Sequence, residues 1–95
     1  MTFDWDPKKA QQNIAKHGTS FEKAITAFDD PFGRIMDDPG HSTPQEKREW
    51  LIGESDTGVL VVVFTVRHPG PSYRLISARK ASRRERRLYE TFKRI

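Results

Sequence analysis

The chain has 95 residues, 35% of them apolar and 32% charged, and no cysteine. That is material for one domain (residues 1–95) with a single modest core, and it excludes a disulfide framework or thiolate chemistry. The net charge of +4 hides an asymmetry: residues 1–66 hold seven Lys/Arg against eleven Asp/Glu, whereas residues 67–95 hold ten against two. A basic third of this kind is the footprint of a polyanion-binding surface or, equally, of a solvated basic tail. The longest apolar run, 59–64, suits a buried strand and is too short for a bilayer. The opening MTFDWDPKK lacks the cationic start and apolar core of a signal peptide, which favours a cytoplasmic address.

Taken in chain order, Asp6-Pro7 starts a helix, Ala10, Ile14 and His17 recur at helical spacing, and Gly18 ends it. Thr19 and Glu22 have capping-box spacing for a second helix, with Phe21, Ala24, Ile25 and Phe28 as its apolar stripe. Residues 32–36 read as a short strand and 37–45 as a loop dense in turn formers. Three stronger strands follow at about 47–54, 58–67 and 72–80, joined by Ser55-Asp56-Thr57 and by His68-Pro69-Gly70-Pro71. Connections this short imply antiparallel hairpins. Ser82 and Glu85 form another capping box, opening a helix that continues to the C-terminus with Ala81, Glu85, Leu88, Tyr89, Phe92 and Ile95 on one side. The predicted fold is therefore α+β, with two N-terminal helices, a four-stranded antiparallel sheet and a C-terminal helix.

Hairpins centred on their turns would align Glu49, Val63 and Ser77 across three strands. One face of the sheet would then carry Trp50, Ile52, Leu60, Val62, Phe64, Val66, Ile76 and Ala78, with Arg48 and Arg74 toward one end, covered by the helices. The other would carry Lys47, Glu49, Thr65, Arg67, Tyr73, Ser77 and Arg79 among Leu51, Val61, Val63 and Leu75. Arg67 and Arg79 would lie at opposite ends of it, roughly 20 Å apart. A mixed, cationic face of this character suits an RNA chain.

The three histidines are scattered, without H-E-x-x-H or paired Cys spacing, so no metal site is expected, and Asp37-Asp38 near His41 reads as a polar turn, with a weak hard-cation site as its alternative. There is no phosphate-binding glycine loop and hence no expected nucleotide cofactor. Cleavage of RNA without a metal needs a base for the 2′-hydroxyl, a proton for the leaving oxygen and donors for the phosphate's charge. Arg67 and Arg79 suit the last role because a planar fork meets phosphate oxygens bidentately. Glu49 is the candidate base, and Tyr73 or His41 the proton donor. Lys47, Ser77, Lys80 and Arg83 are the expected RNA contacts. Arg83, Arg86, Arg87 and Arg94 form a second basic stripe on the last helix, suited to phosphate or to an acidic protein partner. For each residue the plain alternative is an exposed position on a solvated strand, loop or helix.

These residues also resemble a known family, the BrnT-type toxins of bacterial toxin–antitoxin pairs. The resemblance rests on Phe3-Asp4-Trp5-Asp6-Pro7, Lys16-His17-Gly18-Thr19-Ser20-Phe21-Glu22, Phe28-Asp29-Asp30-Pro31, Asp37-Asp38 with His41, Ile52-Gly53, and Thr65-Val66-Arg67. It continues through Arg74-Leu75-Ile76-Ser77-Ala78-Arg79-Lys80-Ala81 to Arg84-Glu85-Arg86 and Tyr89. It implies a RelE-like fold, a metal-independent endoribonuclease that halts translation, and a BrnA-like DNA-binding antitoxin. The pair would repress its own operon, so operator DNA would be met only through the complex. Arg67 and Ser77-Ala78-Arg79 fall where such toxins are expected to hold active residues. The runner-up is a non-catalytic RNA-binding or protein-interaction module.

Overall fold

The helices begin and end on local chemistry. In the computed structural model, which describes residues 2–67 and 72–94, a three-residue strand β1 (Thr2–Asp4) precedes helix α1 (Pro7–His17). The turn expected at 68–71 and the apolar position Ile95 lie outside the described residues. The Asp6 carboxylate accepts from the Lys8 N–H with Pro7 in the first turn, and Gly18 closes α1 at φ 69°, a left-handed conformation that a side chain would strain. Helix α2 (Phe21–Thr26) is capped by Ser20, which accepts from the Lys23 N–H, and not by Thr19. Thr19 is turned inward and buried. A 3-10 turn (Ala27–Asp29) extends α2. Next, Asp30 holds residues 31–33 in a turn by accepting from the Phe32 N–H, so β2 (Arg34–Asp37) starts two residues later than expected. Strands β3 (Arg48–Ser55), β4 (Gly58–Arg67) and β5 (Ser72–Lys80) follow. Helix α3 (Arg83–Phe92) opens on the predicted capping box of Ser82 and Glu85.

The sheet has five strands, not four, in the order β1-β5-β4-β3-β2, and it is not purely antiparallel because β1 runs parallel to β5. Among the described residues no helix is long and apolar enough to cross a membrane.

Two local features change the faces. The first hairpin turns on Asp56 and Thr57 alone, with Gly58 at φ 117° already pairing with Ser55, so Glu49 pairs with Phe64 and not with Val63. The Ser55 hydroxyl fixes this turn, accepting from the Thr57 N–H and donating to the Gly58 carbonyl. In the second hairpin Val63 does pair with Ser77, as expected, but a bulge at Ile76 puts Leu75 opposite Phe64 and Tyr73 opposite Val66. A one-residue slip exchanges the faces of every residue beyond it. Leu51 therefore joins Leu60, Val62, Phe64, Leu75 and Ala78 beneath α1 and α2, where Phe21 and Ala24 complete the core. Trp50 and Ile52, expected in that layer, lie on the opposite face with Val61, and α3 covers part of that face through Tyr89 and Phe92, with Ala81 just ahead of the helix. The molecule is thus three layers, helices on both sides of a mixed sheet.

Close packing of β3 on the 3-10 turn depends on Gly53, where a Cβ would lie only 2.8 Å from the Ala27 carbonyl oxygen. Gly53→Ala should cost about 1–3 kcal/mol through forced backbone displacement, read as a lower urea midpoint with unchanged slope.

Candidate active site

Helix α3 leaves part of its face of the sheet open, and there the side chains follow the ladder. Ile52, Val61 and Arg79 form one rung, Trp50, Val63 and Ser77 the next, and Arg48, Thr65 and Arg74 the third, with Arg67 and Ser72 beyond. Arg67 and Arg79 do share this face. They stand six residues apart along β4, about 20 Å, and Arg48 and Arg74, expected on the other face, fill the interval. A depression of about 370 Å³ is lined by Asp38, His41, Arg48, Trp50, Arg79 and Glu85, among others. A smaller neighbour contains Arg48, Arg67 and Arg74, with Lys9 from α1.

Arg79, Glu85, Arg48, Arg74, His41 and Asp38 each have a defined hold. Arg79 donates from Nη1 and Nη2 to the two oxygens of Glu85, at 2.7 and 2.9 Å. This takes the end of the guanidinium fork. Among the described residues no acceptor takes its Nε–H, so the side edge of the fork stays available to a ligand. Glu85 also accepts from the Ser82 N–H at 2.8 Å, which fixes it to the start of α3. The Arg79 fork holds the Glu85 carboxyl down at about 2, against the upward push of burial and with help from Ser82. Arg48 lies 3.1 Å from Glu46, and Arg74 3.4 Å from Asp4. His41 is carried to the rim by a 3-10 turn (Pro39–His41), and its Nδ1 is 3.0 Å from both oxygens of Asp38. Asp38 is anchored in turn: its N–H donates to the Arg48 carbonyl and its carbonyl accepts from Ser42.

Of the nine residues singled out from the sequence for catalysis or RNA contact, Arg79, Ser77 and His41 line the depression, and Arg67 lies on the same face in the adjoining one. Glu49 is on the opposite face, level with Phe64. Tyr73 is there too, its ring packed against Phe3, Phe28 and Phe64, so the expected grouping of Tyr73 with Arg79 is not what the fold makes. Lys80 pairs with Leu60 and so alternates away from Arg79. Lys47 is exposed and lies 3.3 Å from Asp37, and Arg83 is exposed on the first turn of α3; neither lines the depression. Arg48, Asp38 and Glu85 were missed as site residues. The first was hidden by the register slip, whereas the capping box that marked Glu85 carried no sign of its second partner. Among the described residues no group of three or more His, Asp or Glu is placed to hold a metal ion.

The remaining face of α3 is tied down by a second carboxylate. Burial pushes Asp30 up, but hydrogen bonds from the Tyr89 hydroxyl and from the Glu54 and Phe32 N–H groups, with the charge of Lys93, outweigh it and leave the carboxyl below its ordinary value. Tyr89 is raised, by burial and then by Asp30. Asp30 and Glu85 both have lower pKa values folded than unfolded. Their stabilisation is complete above the ordinary carboxylate range and is lost as pH falls through the folded values. Acid should therefore loosen α3, with stability dropping as pH falls from 4.5 toward 2, followed by circular dichroism. Glu85→Gln should flatten that slope.

No curated protein matches the chain. Residues 5–85 match the model of a family described as ribonuclease toxin, BrnT, of type II toxin–antitoxin system. Since that stretch is most of its length, the chain belongs to the BrnT family of ribonuclease toxins.

Proposed function

We propose that this chain is a cytoplasmic, metal-independent endoribonuclease of RelE-like architecture that cuts RNA in the arginine-lined depression and so halts translation. The observation that carries the reading is the convergence of a His–Asp pair with Arg48 and Arg79 on one concave surface. Asp38 engages Nδ1 of His41 and leaves Nε2 as the atom that exchanges protons. Neutral His41 can take the 2′-hydroxyl proton as that oxygen attacks the adjacent phosphorus. The bond to the 5′-oxygen breaks, the leaving oxygen takes a proton from water, the resulting hydroxide takes up the proton held by His41, and the products are a 2′,3′-cyclic phosphate and a 5′-hydroxyl. Arg79, through the free side of its fork, and Arg48 are placed to receive the negative charge that develops on the phosphate. Arg67 and Arg74 continue the track for neighbouring phosphates. This reading gives proton transfer to His41, because Glu49 and Tyr73 stand across the sheet.

A BrnA-like antitoxin is the expected protein partner, with operator DNA bound only through the complex. The exposed arginines of α3, including Arg83, Arg86 and Arg87, offer it a basic docking surface.

The deciding experiment is incubation of the purified chain with an RNA oligonucleotide in EDTA and identification of the new ends. His41→Ala is expected to lower turnover by roughly 10²–10⁴. An exposed side chain at this position should cost the fold under about 0.5 kcal/mol. Salt-sensitive binding without cleavage would instead indicate a non-catalytic RNA-binding module.

A further inference from the structure

The depression has a cationic rim but an apolar floor. Trp50, Val63 and Ile76 line it, and all three are only half-buried. Trp50 packs against the Ile52, Val61 and Tyr89 cluster on one side, yet α3 does not close over it. Ile76 is turned into the same space by the bulge, which takes it out of the ladder. Ser77 stands on the rung of Trp50 and Val63, placing a hydroxyl beside the floor. A surface that held phosphates alone would gain nothing from an exposed indole and two branched aliphatic side chains. A ligand that fits has to bring negative charge and a flat aromatic face within one short repeat, and single-stranded RNA does both.

We propose that the floor formed by Trp50, Val63 and Ile76 is a seat for one unpaired RNA nucleobase adjacent to the phosphate held by Arg79. This deepens the ribonuclease reading and rests on it. The base stacks on the apolar floor, with Ser77 at its hydrogen-bonding edge. In a duplex both faces of each base are already covered by its neighbours, so the seat makes the enzyme selective for single strands. Extruding a paired base to fill it would cost unstacking and unpairing.

The test uses 2′-O-methyl pentanucleotides, which lack the attacking hydroxyl and stay intact, and compares them with the same backbone carrying no bases. The native protein carries the main comparison, so its outcome does not depend on whether a variant folds. The bases are expected to tighten binding roughly tenfold or more, since stacking of one base on an aromatic side chain carries that much affinity. The intact strand should also quench tryptophan emission where the base-free strand does not. Trp5 serves as a constant background, because it packs against Phe21 in the core beneath α1 and α2. Trp50→Phe should keep most of the difference, Trp50→Ala should abolish it, and the duplex should bind more weakly than the single strand. Equal binding with and without bases, a duplex bound as tightly as the single strand, or no binding at all would overturn the seat. Cleavage of ordinary RNA by the same preparation judges the ribonuclease reading separately and would stand or fall independently of those results.

Discussion

Replacing Arg79 by alanine is expected to lower the rate of RNA cleavage by roughly 10²–10³, the effect of removing one preorganised donor from developing phosphate charge. Lysine should restore only part of the rate, since it keeps the charge and loses the fork. The same residue also holds Glu85, so the alanine variant leaves a half-buried carboxylate without its main partner. Some loss of melting temperature will therefore accompany the loss of rate, and the two must be separated. Removing both partners, Arg79→Ala with Glu85→Ala, should recover stability without recovering cleavage. Glu85→Gln alone should leave Arg79 in place but less firmly aimed, with a smaller fall in kcat than in the Arg79 variant. If Arg79→Ala cuts as fast as the parent, the arginines of α3 become the better candidates for contact with the reacting phosphate.

The largest loss of stability is expected from Asn13. Its amide is buried and works as a short piece of strand along the edge of β5 that β1 leaves open. The nitrogen donates to the Ala78 and Thr19 carbonyls at 2.7 and 2.8 Å, and the oxygen accepts from the Ala78 N–H at 3.0 Å. Alanine there would strand three backbone groups at buried residues, the N–H and carbonyl of Ala78 in the sheet and the carbonyl of Thr19 between α1 and α2. An orphaned buried group costs about 1–3 kcal/mol, so Asn13→Ala should cost about 3 kcal/mol after partial relaxation. In a domain of this size that lowers the melting temperature by roughly 12–24 °C. Aspartate should be no better, because it restores the acceptor but turns negative oxygen toward two carbonyls. A shift of only a few degrees for the alanine variant would mean that water takes over the amide's bonds.

Much of the architecture was legible because it is written locally. Asp6-Pro7, Gly18 and the Ser82–Glu85 box act within a turn of themselves, and the bounds of β4 and β5 follow from the apolar run and its turn formers. Register was less accessible. Whether Gly58 belongs to the turn or to the ladder depends on the Ser55 hydroxyl, and that single choice moves Trp50 and Arg48 onto the open face. The bulge at Ile76 has no residue signature of its own, yet it decides that Tyr73 faces the core and Arg74 the site. Strand β1 was missed because three residues pairing in parallel with a partner about seventy positions away leave no periodic trace. The basic character of the site was legible from charge. Its proton-transfer group was only half so: His41 was one of two options, and its partner Asp38 looked like part of a polar turn.

The pairing of β1 with β5 also bears on when the molecule becomes itself. Thr2–Asp4 aligns with Ser72–Arg74, and Asn13 binds Ala78, so each of these early segments waits for a partner made about 65–70 residues later. Long-range pairings wait for loop closure, and here the closure spans most of the chain. Arg79 and Glu85 lie further still toward the end. A nascent chain can build the β3–β4 hairpin first, but the edge of the sheet and the arginine track are incomplete until β5 and the start of α3 have emerged. If the chain cuts RNA as proposed, it is thereby inert until β5 and the start of α3 have been made.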